Sequence, residues 1–208
     1  GLYLAILHSN RKKIKVMQFL NPIELLELEN ADVAAIDNSV IKKAKRKLFA
    51  EIDLSDNGHF DYKGISLTKT DCEKVIDDLE NNHALEFYSH LSSNKLLNDF
   101  LVNGNDKLFT SFKQESIYKL PEFIKFISPF FAPKFDKAIL KAFVDADEEK
   151  LRSILRTQNL ISTADLNIAF KGLSIEIQNR LQQIDAITKD IKNEESEYSD
   201  DDIDEVID

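Results

Sequence analysis

Asp37–Thr68, DNSVIKKAKRKLFAEIDLSDNGHFDYKGISLT, is the stretch whose reading decides the fold. Val40, Ile41, Ala44, Leu48, Phe49 and Ile52 recur at i, i+3/i+4 spacing, which predicts an amphipathic helix. Asp37, Asn38 or Ser39 can cap its start, because a short polar side chain there accepts from the free amides of the first turn. The other faces carry Lys42, Lys43, Lys45, Arg46 and Lys47. Asp56-Asn57-Gly58 is then a strong turn signal. Beyond it Phe60 and Tyr62, then Ile65 and Leu67, alternate around Lys63-Gly64, which predicts a small β-hairpin over 59–68.

Working outward, Asn21 reads as an N-cap with Pro22 in the first turn of a short helix bearing Ile23, Leu25, Leu26 and Leu28. Residues 30–36 read as a connector. After the hairpin, Thr70 or Asp71 caps a long helix with Val75, Ile76, Leu79, Leu85, Phe87, Tyr88 and Leu91 toward a core, and Thr70 with Glu73 matches a capping box. Ser92-Ser93-Asn94 marks a boundary. From 95 to 190 four to six helical segments are expected, broken near Asn103-Gly104-Asn105, Pro121, Pro129, Pro133, Asp145 and Gly172. Eight phenylalanines between Phe109 and Phe143 read as helix-packing core, with a peptide-binding groove as the second reading. No fixed-period repeat stands out, although paired helices of HEAT-like size fit the spacing.

Five Gly and four Pro in 208 residues leave too little turn punctuation for a β sandwich, so the fold class is mainly α. The lone Cys72 excludes an internal disulfide and fits a reducing, cytoplasmic compartment. With His8, His59, His83 and His90 scattered, one cysteine cannot complete a structural zinc site. No apolar run approaches the ~20 residues that cross a bilayer. Net charge is −10, but residues 194–208 hold nine acids and no Lys or Arg; removing those nine leaves −1 on residues 1–193. A nearly neutral body lacks the basic footprint of a nucleic-acid binder.

The only methionine, Met17, directly precedes the recognisable pattern and reads as the native start, with residues 1–16 as an added leader. A native leading strand or helix is the other reading of GLYLAILHSNRKKIKV, whose basic cluster follows its apolar run, the reverse of a signal peptide.

Asn21-Pro-Ile-Glu-Leu-Leu and Ile41-Lys-Lys-Ala-Lys-Arg-Lys-Leu48 resemble helices I and II of a J-domain, the module with which DnaJ-type co-chaperones engage Hsp70. The resemblance covers about residues 20–80 and implies a J-like helical domain over 17–92, followed by a helical domain over 93–193. It also implies that Lys42, Lys43, Arg46 and Lys47 face an acidic Hsp70-type partner, an encounter that charge steers. Aligned through Ile41 and Leu48, the family's His-Pro-Asp signature would fall at Asp53-Leu54-Ser55, and it is missing. Lys45 also replaces a helix II aromatic, and the hairpin stands where the family has a simple loop. The expectation is an adaptor that keeps the docking scaffold without the tripeptide that stimulates ATP hydrolysis.

The same loop supports a second reading. Asp53, Ser55, Asn57 and Asp61 fall at positions 1, 3, 5 and 9 of an EF-hand loop, with Gly58 at position 6 and Phe60 at position 8. The twelfth position, where Glu supplies two oxygens, is Gly64. That reading makes the chain a calcium- or metal-responsive regulator. Catalytic motifs are not found: there is no G-x-S-x-G, Walker loop or H-E-x-x-H, and no cofactor is expected. Cys72 in a first helical turn is where a dipole lowers a thiol pKa, yet its expected role is structural. The tail EESEYSDDDIDEVID, residues 194–208, reads as disordered and solubilising. Its functional alternative is a linear motif that inserts Ile203, Val206 and Ile207 into a groove.

Overall fold

Asn21 is fully buried, and its side chain starts the first helix as expected: Oδ1 accepts from the Ile23 amide at 3.0 Å. The computed structural model describes residues 18–81 and 84–201. It contains α1 (Pro22–Leu25), α2 (Asn38–Leu54), a hairpin of β1 (His59–Tyr62) and β2 (Ile65–Thr68), α3 (Lys69–Asn81), α4 (Leu85–Ser93), α5 (Lys95–Asn103) and α6 (Lys107–Ser111). There follow α7 (Pro121–Val144), α8 (Glu148–Leu155), α9 (Leu166–Ala169) and α10 (Lys171–Asp201). Short 3₁₀ turns lie at Val33–Ala35, Ser116–Lys119, Gln158–Leu160 and Thr163–Asp165. The fold is mainly α, with the one small hairpin the alternation predicted.

Asp37 caps α2 through Oδ1, which accepts from the Ser39 and Val40 amides at 2.8 and 2.9 Å. The Val40 amide and the Ser39 hydroxyl hold the Asp37 carboxyl below its ordinary pKa. Ile41, Leu48 and Ile52 are buried on one side of α2, opposite Lys42, Lys43 and Arg46. The hairpin pairs Tyr62 with Ile65 across Lys63-Gly64, both at positive φ (51° and 80°), the geometry a two-residue primed turn requires. The capping box of α3 is Thr68 with Asp71 rather than Thr70 with Glu73. Thr68 donates from its amide and hydroxyl to Asp71 Oδ2 at 3.0 and 2.6 Å, and the Asp71 amide returns a bond to Thr68 Oγ1 at 3.2 Å. The strand runs directly into the helix, so the cap falls on the strand's last residue.

Ser92-Ser93-Asn94 is a corner between α4 and α5, where Asn94 Oδ1 accepts from the Leu97 amide at 3.2 Å. Buried side chains before and after it, from Phe19 to Leu91 and from Leu97 to Ala169, belong to one cluster. α7 supplies its centre: Phe123, Ile127, Phe131, Phe135 and Ile139 are at most 1% exposed. The phenylalanine-rich stretch is therefore core. Pro129 and Pro133 lie inside α7 rather than breaking it. The ladder bonds from their missing amides are lost, but the face made by those five core residues holds the helix through. Gly172 also lies within a helix, in the first turn of α10. Its amide donates to Asp136 Oδ1 at 2.8 Å, and a Cβ there would lie 3.0 Å from Leu140 Cδ2.

A polar network fastens α1 to the rest. Asn21 Nδ2 donates to the Tyr88 carbonyl at 3.1 Å and to Asn98 Oδ1 at 2.9 Å. Asn98 in turn donates to Glu24 Oε2 at 3.0 Å. The Tyr62 hydroxyl also donates to Glu24, and Lys63 bridges Glu24 and Asp99. Burial first, then the Glu24 carboxylate, pushes the Tyr62 phenol well above its ordinary pKa.

Candidate functional site

The five cations of α2 divide into two groups, because a basic run on a helix cannot keep all its members on one side. Lys45 follows the buried stripe and is drawn inward. Its ammonium lies 3.0 Å from Asp77 and 3.4 Å from Glu73, both on α3, and 5.5 Å from the centre of the Phe49 ring. Burial works against its charged form, but the bonds and charges of Asp77 and Glu73 outweigh it and hold the pKa above the ordinary lysine value. Lys45 is thus a structural cation that joins α2 to α3.

Lys42, Lys43 and Arg46 point outward. All three are exposed, and none forms an ion pair among the described residues. Lys47 is also exposed but is partly neutralised, pairing with Glu27 and lying 3.8 Å from Glu51. Its hydrogen bond to the Glu27 carboxylate raises its pKa. Of the four expected contact residues, three offer uncompensated charge on a rigid helix, and the fourth sits at the rim.

Asp53, Ser55, Asn57 and Asp61 have separate tasks. Asp53 lies within α2 and pairs with Lys69 at 2.9 Å. Ser55 closes that helix and donates to the Ile52 carbonyl at 2.8 Å. Asn57 Oδ1 accepts from the His59 amide at 3.1 Å, and Asp61 Oδ1 accepts from the Gly64 amide at 3.2 Å, which tightens the hairpin turn. Among the described residues no group of three or more His, Cys, Asp or Glu side chains converges as a metal site.

Cys72 is completely buried, and desolvation, then the Asp71 charge, pushes its thiol up to about 11. That environment is the opposite of one that activates a thiolate. Ile203, Val206, Ile207, His83, the leader 1–16 and Met17 lie outside the described residues. Of the acidic stretch, residues 194–201 continue α10.

A cleft of about 520 Å³ between α4, α5 and α6 was not legible in the sequence. On one wall Asn94 Nδ2 donates to Glu115 Oε1 at 2.7 Å and to the Tyr118 hydroxyl at 2.9 Å. Tyr118 donates to the same Glu115 oxygen at 3.1 Å. His90 Nε2 lies 3.3 Å from Glu115 Oε2 without completing a hydrogen bond. Asn94, Glu115 and Tyr118 spend their polarity on one another, whereas His90 Nε2 is left without a hydrogen-bond partner among the described residues. Their only sequence signal was residue type.

No family model, curated protein or solved structure matches this chain. No helix among the described residues is long and apolar enough to cross a membrane.

Proposed function

We propose that this chain is a non-enzymatic, cytoplasmic interaction protein that receives an acidic partner surface on the outer face of α2. The observation that carries this reading is the trio Lys42, Lys43 and Arg46, exposed and unpaired among the described residues on a helix anchored from behind by Ile41, Leu48 and the Lys45 bridge. Charge presented on a rigid, well-anchored element speeds encounter and fixes register. The resemblance of residues 20–80 to a J-domain suggests an Hsp70-type chaperone as the partner, bound without the His-Pro-Asp trigger. Titration of purified Hsp70 with the full chain is the test. Lys43→Glu together with Arg46→Glu should weaken binding at least about tenfold and flatten its salt dependence. No binding, or binding indifferent to both charges, refutes the proposal.

A further inference from the structure

From Ile177 to Glu194 every side chain of α10 is exposed, yet its apolar residues are not scattered. Phe170, just before the helix, and Leu173 in its first turn are partly buried against the core. Ile177, Leu181, Ile184, Ile187 and Ile191 extend the same side of the helix and are 41% to 59% exposed. At 3.6 residues per turn they keep to an arc of roughly 120°, the width of a stripe that normally faces a core. The helix outruns its support. α7 ends at Val144, and Arg180, whose guanidinium lies 4.5 Å over the Phe143 ring, marks that level. Beyond Arg180 the stripe continues with nothing covering it among the described residues.

We propose that α10 pairs with α10 of a second copy of this chain, antiparallel, as a two-stranded coiled coil. Ile177, Ile184 and Ile191 recur every seven residues, the spacing that keeps a seam facing a partner helix. Charge chooses the second copy and its direction. In a parallel pair Arg180, three residues after Ile177 and therefore on the seam, faces the same arginine of the other copy. The acidic ends of the two chains would also lie side by side. In the antiparallel register that sets Ile184 opposite Ile187 of the second copy, Arg180 comes opposite Ile191, next to Asp190 and within a turn of Glu194 of that copy. The arrangement is isologous and closes on itself as a two-fold dimer, so the seam is consumed rather than propagated.

Sedimentation velocity of the full chain from about 1 to about 300 µM should show a reversible monomer–dimer equilibrium. Ile184→Asp with Ile187→Asp should raise its dissociation constant at least about tenfold, while the melting temperature at the lowest concentration stays unchanged. Both residues are exposed, so the variant tests association rather than folding. For direction, mixed Arg180→Cys and Ile191→Cys chains should form a hetero-linked disulfide faster than either links to itself. A monomer at every concentration, or a dimer indifferent to the two aspartates, overturns the proposal. Preferential self-linking of Arg180→Cys overturns the antiparallel arrangement.

Discussion

Replacing Asn21 with alanine removes three hydrogen bonds at one fully buried position. The lost cap on the Ile23 amide costs about 1 kcal/mol. Asn98 Oδ1 loses its donor, and a buried polar group left unmatched costs about 1–3 kcal/mol, whereas the Tyr88 carbonyl lies inside α4 and loses only a second donor, worth about 1 kcal/mol. Together Asn21→Ala should destabilise the chain by about 3–5 kcal/mol, against a total stability on the order of 10 kcal/mol for a domain of this kind. At 2–4 °C per kcal/mol for a chain of this size, the melting temperature falls by roughly 10 °C. Urea unfolding monitored by circular dichroism gives the free energy, with an unchanged slope showing that the denatured state is unaltered. Asn21→Ser separates the contributions: its hydroxyl keeps the cap but cannot reach both acceptors, so it should recover about 1 kcal/mol. A loss below about 1 kcal/mol for Asn21→Ala refutes the account of α1 as fastened through its cap.

Cys72 supplies a pH-dependence. Its thiol holds its proton up to about 11 in the folded state, whereas the unfolded chain releases it near pH 9. The folded state binds more protons in that window, so its stability is full below pH 9 and declines as pH rises toward 11. Cys72→Ala should remove that part of the slope; an identical alkaline slope in parent and variant refutes it. Gly172→Ala sets helix propensity, worth about 1 kcal/mol in alanine's favour, against the contacts its Cβ would meet. Those lie at 3.0 Å to Leu140 and 3.2 Å to both Asp136 oxygens, and overpacking costs about 1–3 kcal/mol. A net loss of about 1 kcal/mol is expected by thermal unfolding, and a stabilised variant refutes the close approach.

What sequence disclosed and what it hid follow from the range of the forces involved. The Asp37 cap, the buried stripe of α2 and the Lys63-Gly64 turn depend on residues a few positions apart, so local pattern suffices. Pro129 and Pro133 misled because their cost is local and their compensation is not. A proline inside a helix costs about 3 kcal/mol. Burial of Phe123, Ile127, Phe131, Phe135 and Ile139, at about 1.5–3 kcal/mol each, outweighs it. The site shows the same division. Exposure of Lys42, Lys43 and Arg46 was legible from periodicity, but the inward turn of Lys45 depends on Asp77, 32 residues away. The link from Asn98 to Glu24 spans 74 residues and leaves no local trace.

The exposed part of α10 brings the two kinds of force together. Isolated helices are marginal in water below about 12–15 residues and only modestly stable above that. Here the 14 residues from Leu181 to Glu194, beyond the contact of Arg180 with Phe143, have no tertiary cover among the described residues. Their local support is the Glu176–Arg180 pair at 2.9 Å and the anchored base at Gly172, and exposed pairs of this kind contribute only a few tenths of a kcal/mol. The five aliphatic side chains add only a few tenths of a kcal/mol per i,i+3 or i,i+4 pair to a solitary helix, because water covers most of their surface in helix and coil alike. They stabilise it further only when covered, at about half the 1.5–3 kcal/mol each would gain on full burial. Helix formation beyond Arg180 and pairing with a second copy are therefore coupled: each supplies the free energy the other lacks. The basic face of α2 is under no such condition, since its helix is built into the core whether or not a partner is present.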